Sequence, residues 1–446
     1  MRDRRGIADD RKTCMTGASV GIDFGTTNSS IGRCSPLAPS TVELVRFPFL
    51  GGTTESYRSL LYLEQIRQQG KNKLVSWTGP AGIEHYLARE TAGRLIQSLK
   101  SFLTSRTLQS TEVFGRRFTI EDLIARILRD LREKAEHQFG LPITSVVAGR
   151  PVNFVGAETE ADNAYAESRL RNAYHAAGFE QVHFELEPVA AAHYYESTLQ
   201  RDELILIGDF GGGTSDFSLI RVGPAVRHRG RTGDDLLGNA GVGLAGDSFD
   251  AKIVRRLVSP HLGAGSSIRS IDKILPVPNW VYSKLERWHH LSLLKGRDTL
   301  NMLASVKAQA LEPKKIEALI HVVDEDLGYV LHKAVQETKV GLSTGMSAKF
   351  DLSDAVIALE ATAKRSSFES WIAEELAAIE QCVDSLLRDS GVLPAQVNMV
   401  FLTGGSSLVP AVRRIFEQRF GADRIRTGNQ FTSVAQGLAL KANEQI

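Results

Sequence analysis

An α/β fold of two similarly built lobes is what this sequence predicts, and three observations lead there. An apolar strand, Ser19–Phe24, runs through Asp23-Phe24-Gly25 into the small-residue turn Gly25-Thr26-Thr27-Asn28 and back along Ser29-Ser30-Ile31-Gly32. The same pattern returns far along the chain. Leu204–Phe210 carries Asp209-Phe210-Gly211 into Gly211-Gly212-Gly213-Thr214, and Asp216–Ile220 leads out again. Between the copies, helix-period and strand-period segments alternate, as layered α/β proteins do. A chain of 446 residues has room for two lobes, each with its own core.

The elements follow in order. A helix is expected near 119–139: Thr119 and Asp122 make a capping box, and Ile120, Leu123, Ile124, Ile127, Leu128 and Leu131 form its apolar stripe. Gly140 stops it. A strand at Ile143–Ala148, a helix near 157–177 and a strand near 181–186 come next. After the second hairpin, 260–278 is rich in Gly, Ser and Pro, and helical stretches with Trp280 and Trp288 follow, so 260–330 reads as a partly looped elaboration. Ser366-Ser367-Phe368-Glu369 reads as a second capping box. Its helix buries Phe368, Trp371, Ile372, Ile379, Val383 and Leu386 and ends at Gly391. The strand Val397–Leu402 meets Gly404-Gly405-Ser406, and Pro410 suits the first turn of a helix.

Composition narrows the function classes. A net charge of +1 gives no global field for a polyanion, and no long basic run supplies a local one, so nucleic acid is not expected as a partner. No apolar run reaches the roughly 18 residues a membrane span needs. The three cysteines, Cys14, Cys34 and Cys382, are far apart, which suits a reducing, cytoplasmic setting and no cysteine metal site. Residues 1–14 are polar, and no hydrophobic segment follows Arg4-Arg5. They read as a flexible extension or an upstream start ahead of Met15, not as an export signal.

The chemistry lies in the turns. A nucleoside triphosphate needs backbone N–H groups aimed at its phosphates with no side chains in the way, and glycine- and threonine-rich turns supply them. Its magnesium needs oxygen ligands, partly through water. Asp23 and Asp209 each end an apolar strand, where an unpaired carboxylate is costly to bury, so a metal or donor cluster is expected beside them. Either turn alone is also an ordinary hairpin; the pair, each with its aspartate, favours nucleotide binding. Gly404-Gly405-Ser406-Ser407 lets a flat ring approach the backbone, with a helix N-terminus behind it for a phosphate oxygen. Taken alone, it is also a plain strand-to-helix turn.

Asp23-Phe24-Gly25-Thr26-Thr27-Asn28, Asp209-Phe210-Gly211-Gly212-Gly213-Thr214-Ser215-Asp216 and Thr403-Gly404-Gly405-Ser406 resemble the two phosphate motifs and the adenosine motif of the actin, sugar-kinase and heat-shock ATPase superfamily. Glu187-Pro188-Val189-Ala190-Ala191-Ala192 is similar to the hinge of DnaK-type chaperones, and Ser98-Leu99-Lys100-Ser101-Phe102 to the segment holding their catalytic lysine. The resemblance covers roughly 19–446 and looks like the ATPase half of such a chaperone, closest to short DnaK-like proteins of the YegD type that lack a substrate-binding domain. It implies the actin-like ATPase fold, two lobes each with a ribonuclease-H-like mixed sheet flanked by helices and a nucleotide cleft between. Lobe I would take 18–205 with 431–446 returning to it, and lobe II 206–430 with an enlarged subdomain near 246–350.

By the same resemblance, Asp23 and Asp209 would hold magnesium through water, and Lys100 would neutralise the γ-phosphate and place the attacking water. Glu187 would reach the metal shell. Gly25, Thr26, Thr27, Asn28, Gly211, Gly212, Gly213, Thr214, Gly246, Lys339, Ser343, Gly404, Gly405 and Ser406 would line ATP or ADP. From the residues alone, Lys100 is equally a solvated lysine, Glu187 a helix-start acid before Pro188, and Asp216 an orienter of its turn. Gln336–Ser343 resembles the family's adenosine-clasping helix, but Val340 and Leu408 stand where arginines are usual and Phe431 where an aspartate is usual. Ala245 replaces the first of a glycine pair. Base packing is therefore expected to be apolar.

Rival signatures fall away. Gly241-Val242-Gly243-Leu244-Ala245-Gly246 matches the dinucleotide fingerprint but lacks the preceding apolar strand and the following acid. Asp-Phe-Gly occurs without a His-Arg-Asp loop, so a protein kinase is not expected. No Gly-Lys-Ser/Thr is present, and the histidines, His289-His290 included, lack metal spacing. The expected function is a monomeric, ATP-hydrolysing, DnaK-like protein acting on an unfolded-protein client or protein partner. The alternatives are an actin-fold small-molecule kinase, for which no cleft general base is identifiable, and a nucleotide-gated binding module with negligible hydrolysis.

Overall fold

The computed structural model describes residues 18–444 apart from 50, 69, 89–92, 197, 288–293, 295, 326, 354–355 and 428–432. The N-terminal extension, Trp288, His289-His290 and Phe431 therefore lie outside the described residues.

The repeated sequence pattern becomes a repeated sheet. β1 (Ala18–Phe24) turns into β2 (Asn28–Ser35), which pairs with β3 (Ala38–Leu44), all antiparallel. On the other side of β1 lie β4 (Ile143–Arg150) and β5 (Gln181–Leu186), both parallel. The second sheet has the same order and sense. β6 (Glu203–Phe210), β7 (Ser215–Val222) and β8 (Leu236–Val242) form its antiparallel side, and β9 (Met399–Thr403) and β10 (Ile425–Thr427) its parallel side. In each sheet the acid-bearing strand is central, so Asp23 and Asp209 emerge at carboxyl ends where crossover connections leave a crevice. β6 already includes residue 205, so the expected lobe boundary there falls within a strand.

Helices cover the sheets as their sequences dictate. α1 (Ile120–Phe139) starts at Thr119, whose hydroxyl accepts from the Asp122 N–H while Asp122 accepts from the Thr119 N–H, and Gly140 ends it at φ 69°. α2 (Glu160–Ala176) has the same box in Thr159 and Asp162. Leu123, Ile127 and Leu131 of α1 pack with Val20 and Ile22 of β1 in one core. Phe210, Phe217 and Phe416 anchor another beneath the second sheet.

α3 (Glu187–Glu196) joins the sheets. A third core, built from Ala190, Ala191 and Ala192 of α3, Val147 of the first sheet and Ile205, Ile207 and Ile220 of the second, sits at that junction. α4 (Gly328–Thr344) and α5 (Pro410–Phe420) flank the second half, and α6 (Ser433–Glu444) returns to lie on β1, β2 and α3. The small residues are required there. A Cβ on Gly437 would stand 1.7 Å from the Ala190 carbonyl oxygen, and one on Gly21 would stand 2.2 Å from the Ala439 nitrogen.

The second capping box needs correction. The helix placed at Ser366 begins at Arg365 without side-chain capping, because the Arg365 guanidinium donates to the Leu342 carbonyl at 2.8 Å and its N–H to Met346 O at 2.9 Å. That anchor starts the helix early. It breaks at Ile372, and a separate helix, Ala373–Asp389, continues to Gly391. Within the partly looped elaboration expected at 260–330, the described residues form helical stretches as expected, Trp280–Leu285, Arg297–Gln309 and Pro313–Asp324, together with a hairpin, Ser267–Ser270 with Lys273–Pro276. No helix among the described residues is long and apolar enough to cross a membrane.

Candidate functional site: the cleft between the sheets

The two hairpin turns face one another. A Cβ built on Gly212 would lie 2.5 Å from Thr27 Oγ1 and 3.4 Å from an Asp247 carboxylate oxygen, so only glycine lets the turns approach this closely. Thr27 Oγ1 is itself buried and has no partner among the described residues. The second turn is tied down by its own backbone: Gly211 N–H donates to Thr214 O at 2.9 Å, and Asp247 N–H to Gly212 O at 2.8 Å.

Between the turns opens a cavity of about 660 Å³. Asp23, Gly25, Thr26, Thr27 and Asn28 line it from the first sheet, and Asp209, Gly211, Gly212, Gly213 and Thr214 from the second. Lys100, Glu187, Gly246, Lys339, Gly404, Gly405 and Ser406 complete the expected set. Ser343 does not reach it; one turn beyond Lys339, its hydroxyl donates to the Lys339 carbonyl at 3.0 Å. Gly404, at φ 85°, brings the third element against β6, where a Cβ would meet Phe210 O at 2.1 Å. A single 3₁₀ turn, Gly405–Leu408, separates it from α5, so no helix begins directly at the glycines. Val340 and Leu408 expose apolar surface on the same wall.

Lys100 is drawn inward by its backbone. Ser98, at φ 55°, occupies the left-handed region that non-glycine residues rarely adopt, and the 3₁₀ turn Leu99–Phe102 follows. Lys100 Nζ then donates to Glu187 Oε1 at 2.6 Å, with both side chains largely buried. Glu187 opens α3, where the helix dipole favours an acid.

The carboxylates outnumber this cation. Burial, reinforced by Glu187 and only partly offset by Lys100, pushes Asp209 up to about 7. Asp23 is likewise held well above the ordinary carboxylate range by burial and then by Glu187. Asp216, paired with Asp209 across β6 and β7, rises to about 8, again mainly through burial. Such a cluster favours an added positive charge, so these residues fit a divalent cation. Among the described residues no three acids, histidines or cysteines are grouped closely enough to ligate a metal directly.

Several cavity residues went unmarked in the sequence. Asp250 pairs with Lys339 at 2.8 Å, and Arg58 donates to Asn28 Oδ1 at 3.2 Å. Pro151 and Asn153 arrive just past the carboxyl end of β4. That strand-end position was the available signal for the last two. Arg58 had none, since it follows an unremarkable Tyr57.

Comparison with known proteins agrees in kind. A family model described as Hsp70 protein matches residues 87–266 and 313–444. Chaperone protein DnaK of Thermus thermophilus is 27% identical over 433 residues, which are 95% of this chain and 60% of that protein. DnaK of Deinococcus proteolyticus is 28% identical over 432 residues, 95% of this chain and 59% of that protein. The chain thus spans about 60% of the length of these curated relatives.

Proposed function

The chain belongs to the Hsp70 family, with the actin-like ATPase fold, and from that premise we propose that it binds and hydrolyses ATP in the cleft, closing its lobes on nucleotide to act on a protein client or partner. The single observation that carries this reading is the meeting of the two acid-tipped turns: Gly212 against Thr27, with Asp23, Asp209, Glu187 and Lys100 all lining the one cavity between them.

The roles follow from charge and position. The turns Gly25–Asn28 and Gly211–Thr214 present backbone N–H groups and threonine hydroxyls to the phosphates. Asp23 and Asp209, with Glu187 beside them, would hold a magnesium ion through water, and that ion would supply neutralisation of the phosphate charge. Lys100 faces the γ-phosphate and orients the attacking water, with Glu187 fixing the direction of its ammonium group. Phosphoryl transfer asks for positioning and charge more than covalent chemistry, and this set offers both. Lys339, held by Asp250, reaches the sugar side. Val340 and Leu408 pack the base without a guanidinium. In this reading lobe II begins at Glu203, and α6 returns to lobe I.

The decisive measurement is phosphate release with ATP alone, then with an unfolded protein or with candidate sugars added. Turnover with ATP, raised by the unfolded protein, is expected. Stimulation by a sugar with formation of a sugar phosphate would transfer the chain to the kinase class. ATP binding without turnover would make it a nucleotide-gated module.

A pH dependence follows from the same acids. In the unfolded chain aspartates lose their protons near pH 4. The folded chain keeps them on Asp209 and Asp216 up to about 7 and 8. The unfolded state therefore binds fewer protons across that window, and stability falls as pH rises through it. Without magnesium the melting temperature is expected to drop between pH 5 and pH 8. Magnesium with ADP should raise it more at pH 8, where the acids are ionised, than at pH 5.5. Differential scanning fluorimetry reads both, and a magnesium effect independent of pH would remove these carboxylates from the metal shell.

A further inference from the structure

A second, smaller cavity of about 230 Å³ adjoins the cleft. Pro80, Ile83 and Gln97 line it from the first half of the molecule, and Tyr329 and His332, both on α4, from the second. Thr54, Ser56, Arg58 and Gln336 border both spaces, so the smaller one is a side chamber of the larger. The two halves touch here: Tyr86 and Tyr329 pack edge to face with ring centroids 5.8 Å apart.

Three features of the chamber point to a ligand. Arg58 is half-buried, and its hydrogen bond to the neutral Asn28 amide is matched by no ion pair with a carboxylate among the described residues. Loss of solvent draws its pKa below the ordinary arginine value despite the more distant acids Asp247 and Asp250. Gln97 Oε1 is a buried acceptor with no partner among the described residues. The rest of the wall adds no competing buried charge. His332 Nε2 lies 3.1 Å from Leu285 O, and burial pushes the ring down to about 4, so it is neutral at physiological pH. Lys333 is exposed at the rim beside Glu337.

We propose that the chamber binds a small carboxylic acid with an apolar body and one hydroxyl or amino donor. The carboxylate sits on the Arg58 guanidinium, the donor meets Gln97 Oε1, and the body lies between Pro80, Ile83 and Tyr329. An arginine fork matches a carboxylate in charge and shape, and a buried acceptor selects a ligand that carries a donor. A cavity of ~150 Å³ accommodates benzene, so this one of about 230 Å³ suits an aromatic acid of about ten non-hydrogen atoms. Such a ligand touches both halves. It therefore holds the cleft closed and slows nucleotide release, a consequence that rests on the nucleotide reading above, whereas acid binding itself does not.

The test uses the full chain and 4-hydroxybenzoate, first without nucleotide. Isothermal titration should show saturable binding at one site. Arg58→Gln should weaken it at least about ten-fold, and Gln97→Leu about five-fold. Because either variant could lose its fold, the neutral analogue 4-hydroxybenzamide is titrated against the unaltered protein, and it should bind at least about ten-fold more weakly than the acid. No saturable binding, or equal binding of acid and amide, would overturn the proposal. So would loss of ATP affinity in Arg58→Gln with no acid binding to the unaltered chain, since Arg58 would then serve a phosphate. Release of a fluorescent ADP should slow at least about three-fold when the acid is bound. Acid binding with no ADP binding would sink the nucleotide reading and leave the chamber standing; ADP binding with no acid binding would do the reverse.

Discussion

Replacing Lys100 by alanine is expected to lower single-turnover phosphate release about 10²–10³-fold, the usual cost of removing one preorganised charge from a transition state. Nucleotide affinity should stay within about three-fold, because in the proposed reading the two turns and Gly404–Ser406 would supply most contacts to the ground state. The effect divides in this way because Lys100 sits deep in the cleft, 2.6 Å from Glu187, where water screens little of its charge. Lys100→Arg keeps the charge but not the compact ammonium, and should recover little. Measurement needs phosphate release under excess enzyme alongside a direct nucleotide titration. Full turnover in Lys100→Ala would take this side chain out of the reaction.

The largest structural effect is expected at Gly437. A methyl group there would be forced to within 1.7 Å of the Ala190 carbonyl oxygen, and the obstacle is helix backbone, which cannot rotate aside. Gly437→Ala should cost more than about 4 kcal/mol, in the range reserved for overpacked or strained sites. Gly243→Ala, where an added Cβ meets nothing within 4 Å, should stay within about 0.5 kcal/mol. Urea denaturation of both variants measures the difference. Near-equal midpoints would mean that α3 and α6 do not cross as closely as described. Any surviving folded Gly437→Ala should also bind nucleotide weakly, because Glu187 opens the helix that would be displaced.

What could be read from the sequence follows the range of the interactions. The Asp23 and Asp209 hairpins were legible because strand, acid and small-residue turn are contiguous, and the repeat gave each weight. The helix at Ile120 was legible because its cap and its stop are local. Ser366 misled because Arg365 reaches the Leu342 and Ser343 carbonyls, a contact across more than twenty residues that outweighs a local capping preference. Arg58 and Asp250 were silent for the same reason: each acquires its meaning from a neighbour far away in the chain. Ser343 was carried in by likeness to a helix, and it sits one turn too far along that helix to reach the cavity.

The position of α6 bears on how the molecule is made. β1 is synthesised well before one of its coverings, a helix more than four hundred residues later in the chain. Until that helix leaves the ribosome, the β1 face with Gly21, and the α3 groove around Ala190, stay open to water and to other chains. The first half therefore completes its folding only after synthesis of the second, through contacts of very high sequence separation, which makes assembly slow.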